Sequence, residues 1–232
     1  MQDPNFVRKA FAAIAPRYVL ANHVLSGGID VLWRRRVAAD VRACRPTWVL
    51  DLATGSGDLA AAVAAACPDA RVVGADFCAP MMVHARQRGL TDLVVADGLA
   101  LPFLDGAFDV VTIGFGLRNM ADYGAALREM ARVLRPGGCL MILDFSQPSR
   151  WLRGAYKWYL HHVLPRLAGA LTGQRGAYEY LGGSIESFPS GSAMLALLEA
   201  NGFSQYQCFP LTGGIASLYV AETKGASVVR SQ

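Results

Sequence analysis

The sequence predicts an α/β fold, a mostly parallel sheet with helices on both faces, and three observations carry that prediction. Short apolar runs at 48–52, 71–75, 93–96, 108–113 and 139–145 alternate with stretches of helical periodicity, the rhythm of β-α units. The first run feeds a glycine turn and then an alanine-rich stretch, Val49-Leu50-Asp51-Leu52-Ala53-Thr54-Gly55-Ser56-Gly57-Asp58-Leu59-Ala60. The breaker Arg135-Pro136-Gly137-Gly138 ends a helical pattern over 123–134 and launches the next strand at Cys139.

The elements then follow in chain order. Apolar residues at helical spacing (Phe6, Phe11, Ile14, Tyr18, then Val31, Leu32, Val37, Val41) predict two leading helices, over 3–21 and 30–43. Arg45-Pro46 closes that region and the β-α alternation occupies 46–145. Residues 146–190 carry aromatic, basic and glycine residues without a strand pattern, and their position after the fifth strand marks them as an insertion over the site. A helix over 192–200 and two strands, 203–210 and 215–223, complete the pattern.

With 232 residues, 53% of them hydrophobic and 17% charged, the chain is expected to be one domain with a sizeable core and no disordered tail. Its net charge of +4 is spread along the chain instead of gathered in a Lys/Arg block, so nucleic acid is not the expected partner. Five scattered cysteines, never in a C-x-x-C pair, suggest neither a disulfide framework nor a zinc site, and a reducing cytoplasm is the expected setting. The longest apolar stretch, 59–67, is far short of the roughly 20 residues that span a bilayer. No secretory signal is legible at the start.

The strongest local signal is the glycine turn. Gly55, Gly57 and Ala60 satisfy G-x-G-x-x-G/A, whose small residues let the backbone turn tightly and approach a ligand. The next strand leads to Asp76, near the roughly 20-residue offset at which an acid meets ribose hydroxyls. Glycines that merely turn the chain, and an Asp76 that merely caps a helix, would explain each feature separately; together they indicate a ribose-bearing cofactor.

Charge then discriminates between cofactors. Asp51 and Asp58 flank the turn and would repel a pyrophosphate, whereas S-adenosylmethionine brings an ammonium and a sulfonium, so the sulfonium compound is favoured. Asp58 is also an ordinary first-turn acid for a helix dipole. Asp97, after the third strand, is placed to accept from an adenine amino group, to face the substrate, or to start a helix.

At this point the chain resembles a family. The run from Asp97 to Phe103, Phe108-Asp109, Gly114-Phe115-Gly116-Leu117-Arg118-Asn119 and Arg132-Val133-Leu134-Arg135-Pro136-Gly137-Gly138 look like the UbiE/MenG quinone C-methyltransferases. Tyr18, Asn22, Leu25-Ser26 and Trp33 resemble that family's first motif; Tyr178, Tyr180-Leu181, Ser184-Ile185 and Leu211-Thr212-Gly213-Gly214 resemble its later ones. The chain departs from the pattern at Asp30, where a histidine is usual, at Gly114 for serine, Asp144 for glutamate and Tyr219 for histidine.

The resemblance implies a Rossmann-like class I methyltransferase with a seven-stranded, mostly parallel sheet and an antiparallel last strand. Residues 1–45 would then be a helical substrate cap, 46–145 the cofactor-binding core, 146–190 a substrate lid, and 191–223 the final helix and strand pair. The expected cofactor contacts are Asp51, Ala53, Thr54, Gly55, Ser56 and Gly57 in the turn, Asp76 and Phe77, Asp97 and Gly98, and Gly114. Arg118, Asp97, Asn119, Tyr18 and His23 are the expected catalytic and acceptor-positioning residues, with no metal. Arg118 stays charged at any ordinary pH and is cast as a stabiliser of a forming phenolate, with Asp97 or water taking the proton.

The implied acceptor is a polyprenylated quinol. Another phenolic or lipid-like acceptor, and a non-catalytic scaffold in a quinone-synthesis assembly, are the rival readings. Arg150, Arg153, Lys157, Arg166 and Arg175 alternate with Trp151, Tyr156, Trp158, Tyr159, Leu160, Val163 and Leu164, without an acid between Asp144 and Glu179. That pattern suits an anionic membrane surface at the inner face, and equally an amphipathic helix packed on the sheet or on the second copy of a homodimer.

Overall fold

The computed structural model describes residues 28–148, 150–163, 166 and 183–224. The helix expected over 3–21, which holds Tyr18, and His23 beyond it lie outside the described residues. Among those described, seven strands form one sheet: β1 (Trp48–Leu52), β2 (Arg71–Asp76), β3 (Leu93–Val95), β4 (Phe108–Gly114), β5 (Leu134–Phe145), β6 (Phe203–Leu211) and β7 (Ala216–Thr223). Their order is β3-β2-β1-β4-β5-β7-β6. Strands β1 to β5 pair in parallel, and β7 runs antiparallel to both β5 and β6, as the resemblance implied.

Near-continuous apolar strands are what a sheet covered on both faces requires. Along β1, successive side chains serve opposite sides. Leu50 and Leu52 join a core with Ile113, Leu127, Met130, Leu140 and Phe203, whereas Val49 joins Val37, Val41, Val63, Val110 and Met141. Helices α1 (Ile29–Ala43) and α2 (Asp58–Ala66) cover the second face; α4 (Tyr123–Val133) and α6 (Ser192–Ala200) cover the first, and α3 (Ala79–Gln87) follows β2. Helix α4 shows why such segments are helical: Asp122 caps Ala125 N–H at 2.9 Å, and Ala126, Leu127, Met130 and Val133 form one buried stripe.

The breaker behaves differently from expectation. The helix stops at Val133, and Leu134, expected as its last residue, is already extended and pairs with Phe108. Residues 135–138 are thus an irregularity inside β5, with a register shift opposite 108–110 and Gly137 at φ 73°. Thr223 on β7 secures it, donating its hydroxyl to Arg135 O at 2.8 Å and accepting Gly138 N–H at 3.1 Å.

Asp109 ties the starts of three strands together. Its carboxylate accepts Thr47 N–H at 2.6 Å and Trp48 N–H at 2.9 Å, and pairs with Arg135 at 2.7 Å. With that end fixed, the opposite ends of β1, β2 and β4 open together where strand order reverses between β1 and β4, the place where open α/β sheets bind ligands. After β5, helix α5 (Arg150–Trp158) passes into a π-type turn, Tyr159–Val163, and a helical turn follows at 183–187; no strand occurs among the described residues of 146–190.

Candidate active site

The glycine turn becomes a crevice because β1 must leave the sheet at once. Ala53 and Gly55 take positive φ (53° in both), and Gly57 opens α2 at φ 77°. Non-glycine residues adopt this conformation at a cost, so Ala53 is held there by its surroundings. A side chain at Gly57 would meet Leu90 Cδ1 at 2.6 Å and Ala85 Cβ at 2.8 Å. Gly57 therefore serves the packing of α2 on α3, and it is absent from the crevice wall.

The crevice is open, with about 680 Å³ of empty space including the solvent beyond its mouth. Asp51, Ala53, Thr54, Gly55 and Ser56 line it from β1 and the turn, Asp76 and Phe77 from β2, and Gly114 and Asn119 from the region after β4. Those nine sequence-identified residues come together. Arg34, Asp58, Leu59, Cys78, Met81, Phe115 and Gly116 complete the wall. Of these, Phe115 and Gly116 sit in the F-G-L-R-N run, while Arg34 has no distinguishing sequence signal, since it reads as an ordinary helix partner of Asp30.

Asp76 is set for hydroxyl recognition. Gly55 N–H donates to its Oδ2 at 2.8 Å and Cys78 N–H to its Oδ1 at 2.7 Å. A carboxylate has about four acceptor positions, so two remain for a hydroxyl-bearing ligand. Burial raises the Asp76 pKa, against the pull of those two N–H groups. Asp51 lies deeper, its oxygens accepting the hydroxyls of Thr54 and Thr112, each at 2.7 Å. Burial pushes its pKa up to about 6, with the Asp76 charge adding in the same direction. Asp58 accepts the Ser56 hydroxyl and pairs with Arg88 at 2.8 Å.

On the β4 side, Phe115 has φ 59°, and a Cβ on Gly116 would sit 2.5 Å from Ala53 Cβ. The two loops thus touch across the neck of the crevice, and only glycine allows it. Arg118, in the turn Leu117–Asn119, is buried behind this wall. Its Nη1 donates to Phe115 O at 2.6 Å and to Asp144 Oδ1 at 2.7 Å, and its guanidinium lies 5.2 Å from the Phe145 ring centroid. Arg118 Nε is buried and meets no acceptor among the described residues. Burial raises the Asp144 pKa and the Arg118 charge opposes it. Tyr156 of α5 comes near: burial raises its phenol pKa while Arg118 pulls it down.

Asp97 and Gly98 do not join the crevice wall. Asp97 is exposed beyond the three-residue edge strand β3, its carboxylate accepting Leu99 N–H at 2.9 Å. Gly98 is buried against Met120, whose Cε would be 2.7 Å from an added Cβ.

The comparisons agree with this fold. Residues 1–223 match the ubiE/COQ5 methyltransferase family. The chain belongs to that family. It is 49% identical over 219 residues to a demethylmenaquinone methyltransferase of Thermus thermophilus, covering 91% of this chain and 99% of the relative. It is 41% identical over 230 residues to a Bdellovibrio bacteriovorus ubiquinone/menaquinone biosynthesis C-methyltransferase, covering 96% and 97%. Among solved structures, a SAM-dependent methyltransferase of Thermotoga maritima superposes with a TM-score of 0.67 at 17% identity, covering 94% of this chain and all of that one. A [4+2]-cyclase also superposes, with a TM-score of 0.58 at 19% identity, covering 82% of this chain and 81% of that one, so the fold by itself does not fix the reaction.

Proposed function

We propose that the chain transfers a methyl group from S-adenosylmethionine to a ring carbon of a polyprenylated quinol in quinone biosynthesis, with demethylmenaquinol as the acceptor. The observation that carries this reading is the acidic crevice at the ends of β1, β2 and β4, with Asp76 at its ribose position, in a chain of the ubiE/COQ5 family. The naphthoquinol is favoured over the benzoquinol because the Thermus relative and a 44% identical Deinococcus radiodurans relative both carry the demethylmenaquinone methyltransferase name.

The residues present suit the cofactor. Asp76 would meet the ribose, Asp51 would offer negative charge toward an ammonium, and Gly116 lets its loop approach Ala53 without a clash. Asp97 stands one strand further out, after β3, and would be the carboxylate available to an adenine amino group. When bound, the cofactor supplies an electrophilic methyl group on a sulfonium.

The chain's own part is orientation and charge. A quinol carbon becomes nucleophilic when the neighbouring hydroxyl loses its proton, and a fixed guanidinium stabilises the oxygen that forms. Arg118 is buried, permanently charged and oriented by Asp144, with Nε unengaged among the described residues. Asn119 reaches the crevice from the same turn. The proton passes to water or to Asp97, whose exposed carboxylate accepts Leu99 N–H. The aromatic group of Trp33, Phe115 and Phe145 excludes solvent around Arg118, which strengthens its field.

Lipid-linked acceptor access falls to α5, where Arg153, Lys157 and Trp158 are exposed while Leu160 beyond it packs with Ile185. No helix among the described residues is long and apolar enough to cross a membrane, so contact would be peripheral. Salt-sensitive binding to anionic vesicles is expected; a dimer in sedimentation with no vesicle binding would give this face to a second copy instead. The deciding assay supplies S-adenosylmethionine with demethylmenaquinol or with a demethylated methoxy-benzoquinol and follows the methylated product by mass. Turnover of the naphthoquinol is expected, and methylation of neither quinol would overturn the reading.

A further inference from the structure

The crevice wall poses a charge problem. It presents three carboxylates, Asp51, Asp58 and Asp76, and one cationic side chain, Arg34, among the described residues. An acidic pocket draws in an ammonium and a sulfonium, but it repels the α-carboxylate that the same methyl donor carries. Asp58 is already paired on its outer side with Arg88, which does not line the crevice, and Asp51 is satisfied by two threonine hydroxyls. Neither arrangement offers anything to an anion.

Arg34 does. It lies on α1, which Trp33 fastens to the far end of the sheet by donating Nε1–H to Thr212 Oγ1 at 2.9 Å. Its side chain is 11% exposed, and its guanidinium carbon sits 5.8 Å from the Phe115 ring centroid, so it is held against the crevice wall instead of ranging through solvent. Asp30, one turn earlier and buried, takes Nη1. A guanidinium carries five N–H donors in a planar fork, so the edge not used by Asp30 remains available for a second carboxylate.

Resting on the methyltransferase reading above, we infer that Arg34 is the subsite for the α-carboxylate of the methyl donor, with Asp30 and Phe115 fixing the guanidinium for that contact. The interaction is made only with the amino-acid end of the ligand. Arg34 therefore selects donors that retain a carboxylate and contributes nothing to adenosine recognition.

Calorimetric titration of the full chain with S-adenosylmethionine and with decarboxylated S-adenosylmethionine tests this without reference to turnover, since the two ligands differ in that carboxylate alone. The wild-type protein is expected to prefer the intact donor by about 10- to 100-fold, the range of one charge-assisted hydrogen-bonded contact. Arg34→Gln should remove most of that preference while binding of the decarboxylated compound stays within about 2- to 3-fold, and Arg34→Lys should restore part of it. Equal affinity of the wild-type protein for the two ligands, or parallel loss of both in Arg34→Gln, overturns the inference and leaves the functional reading standing. Binding of neither ligand to the wild-type protein overturns both. The wild-type preference is informative even where Arg34→Gln does not fold.

Discussion

Asp51 is the group whose perturbation reports most directly on how the crevice is built. It is almost fully buried, and its pKa rises from an ordinary 3.8 to about 6, chiefly through burial, with the Thr54 and Thr112 hydroxyls opposing. A rise of about 2 units corresponds to about 3 kcal/mol at about 1.4 kcal/mol per unit. The folded acid keeps a proton that the unfolded chain has already released, so stability falls as pH rises from about 4 to about 6 and is level above that. Asp51→Asn keeps the shape and removes the charge. Without ligand, at pH 8, it should be more stable by about 1–3 kcal/mol, a melting shift of roughly 2–10 °C for a chain of this length. The difference between variant and wild type should vanish below about pH 4. Saturating S-adenosylmethionine should reverse the order, because the ammonium compensates a carboxylate that the amide cannot replace. Thermal melts at several pH values, with and without ligand, provide the measurement. A variant less stable than wild type at pH 8 without ligand, or one whose pH profile parallels the wild type, would refute this account of the buried charge.

Four further outcomes are expected. Asp144→Ala strands the Arg118 guanidinium in a buried site and should cost about 3–5 kcal/mol in denaturant unfolding, whereas Arg118→Ala should lower turnover by about 100- to 1,000-fold with S-adenosylhomocysteine affinity nearly unchanged. The reverse pattern for Arg118 would show its role to be misassigned. Asp76→Ala removes the acceptor for both Gly55 and Cys78 N–H and should weaken donor binding by about 100-fold in calorimetry. Gly116→Ala places a methyl group against Ala53 Cβ and should lower stability by about 1–3 kcal/mol and close the crevice neck, read as a melting shift together with loss of ligand-induced stabilisation.

The sheet was legible because parallel strands buried on both faces leave continuous apolar runs, and five runs fall at the five parallel strands with ends moved by one residue at most, except at β5. There the Pro-Gly-Gly breaker was readable as a stop. That it becomes an irregularity inside β5, secured by Thr223 from β7, depends on a residue more than eighty positions away. The glycine turn and Asp76 were legible for a similar local reason, since strand, turn, helix and acid all lie within thirty residues. Arg34 was not. Asp30 and Arg34 form an unremarkable i,i+4 pair in sequence, and only the packing of α1 across the sheet brings the guanidinium into the crevice. For Asp97 the turn chemistry was legible, its carboxylate accepting Leu99 N–H just beyond β3, whereas its position relative to the crevice depends on how the edge of the sheet is built.

Phe115 has two guanidinium groups near its ring, Arg34 at 5.8 Å and Arg118 at 5.9 Å from the centroid. One benzene ring, on a backbone held at positive φ, thus neighbours both the cation that lines the crevice and the one buried behind its wall. Two cations lean on that single ring, so replacing Phe115 would loosen both at once.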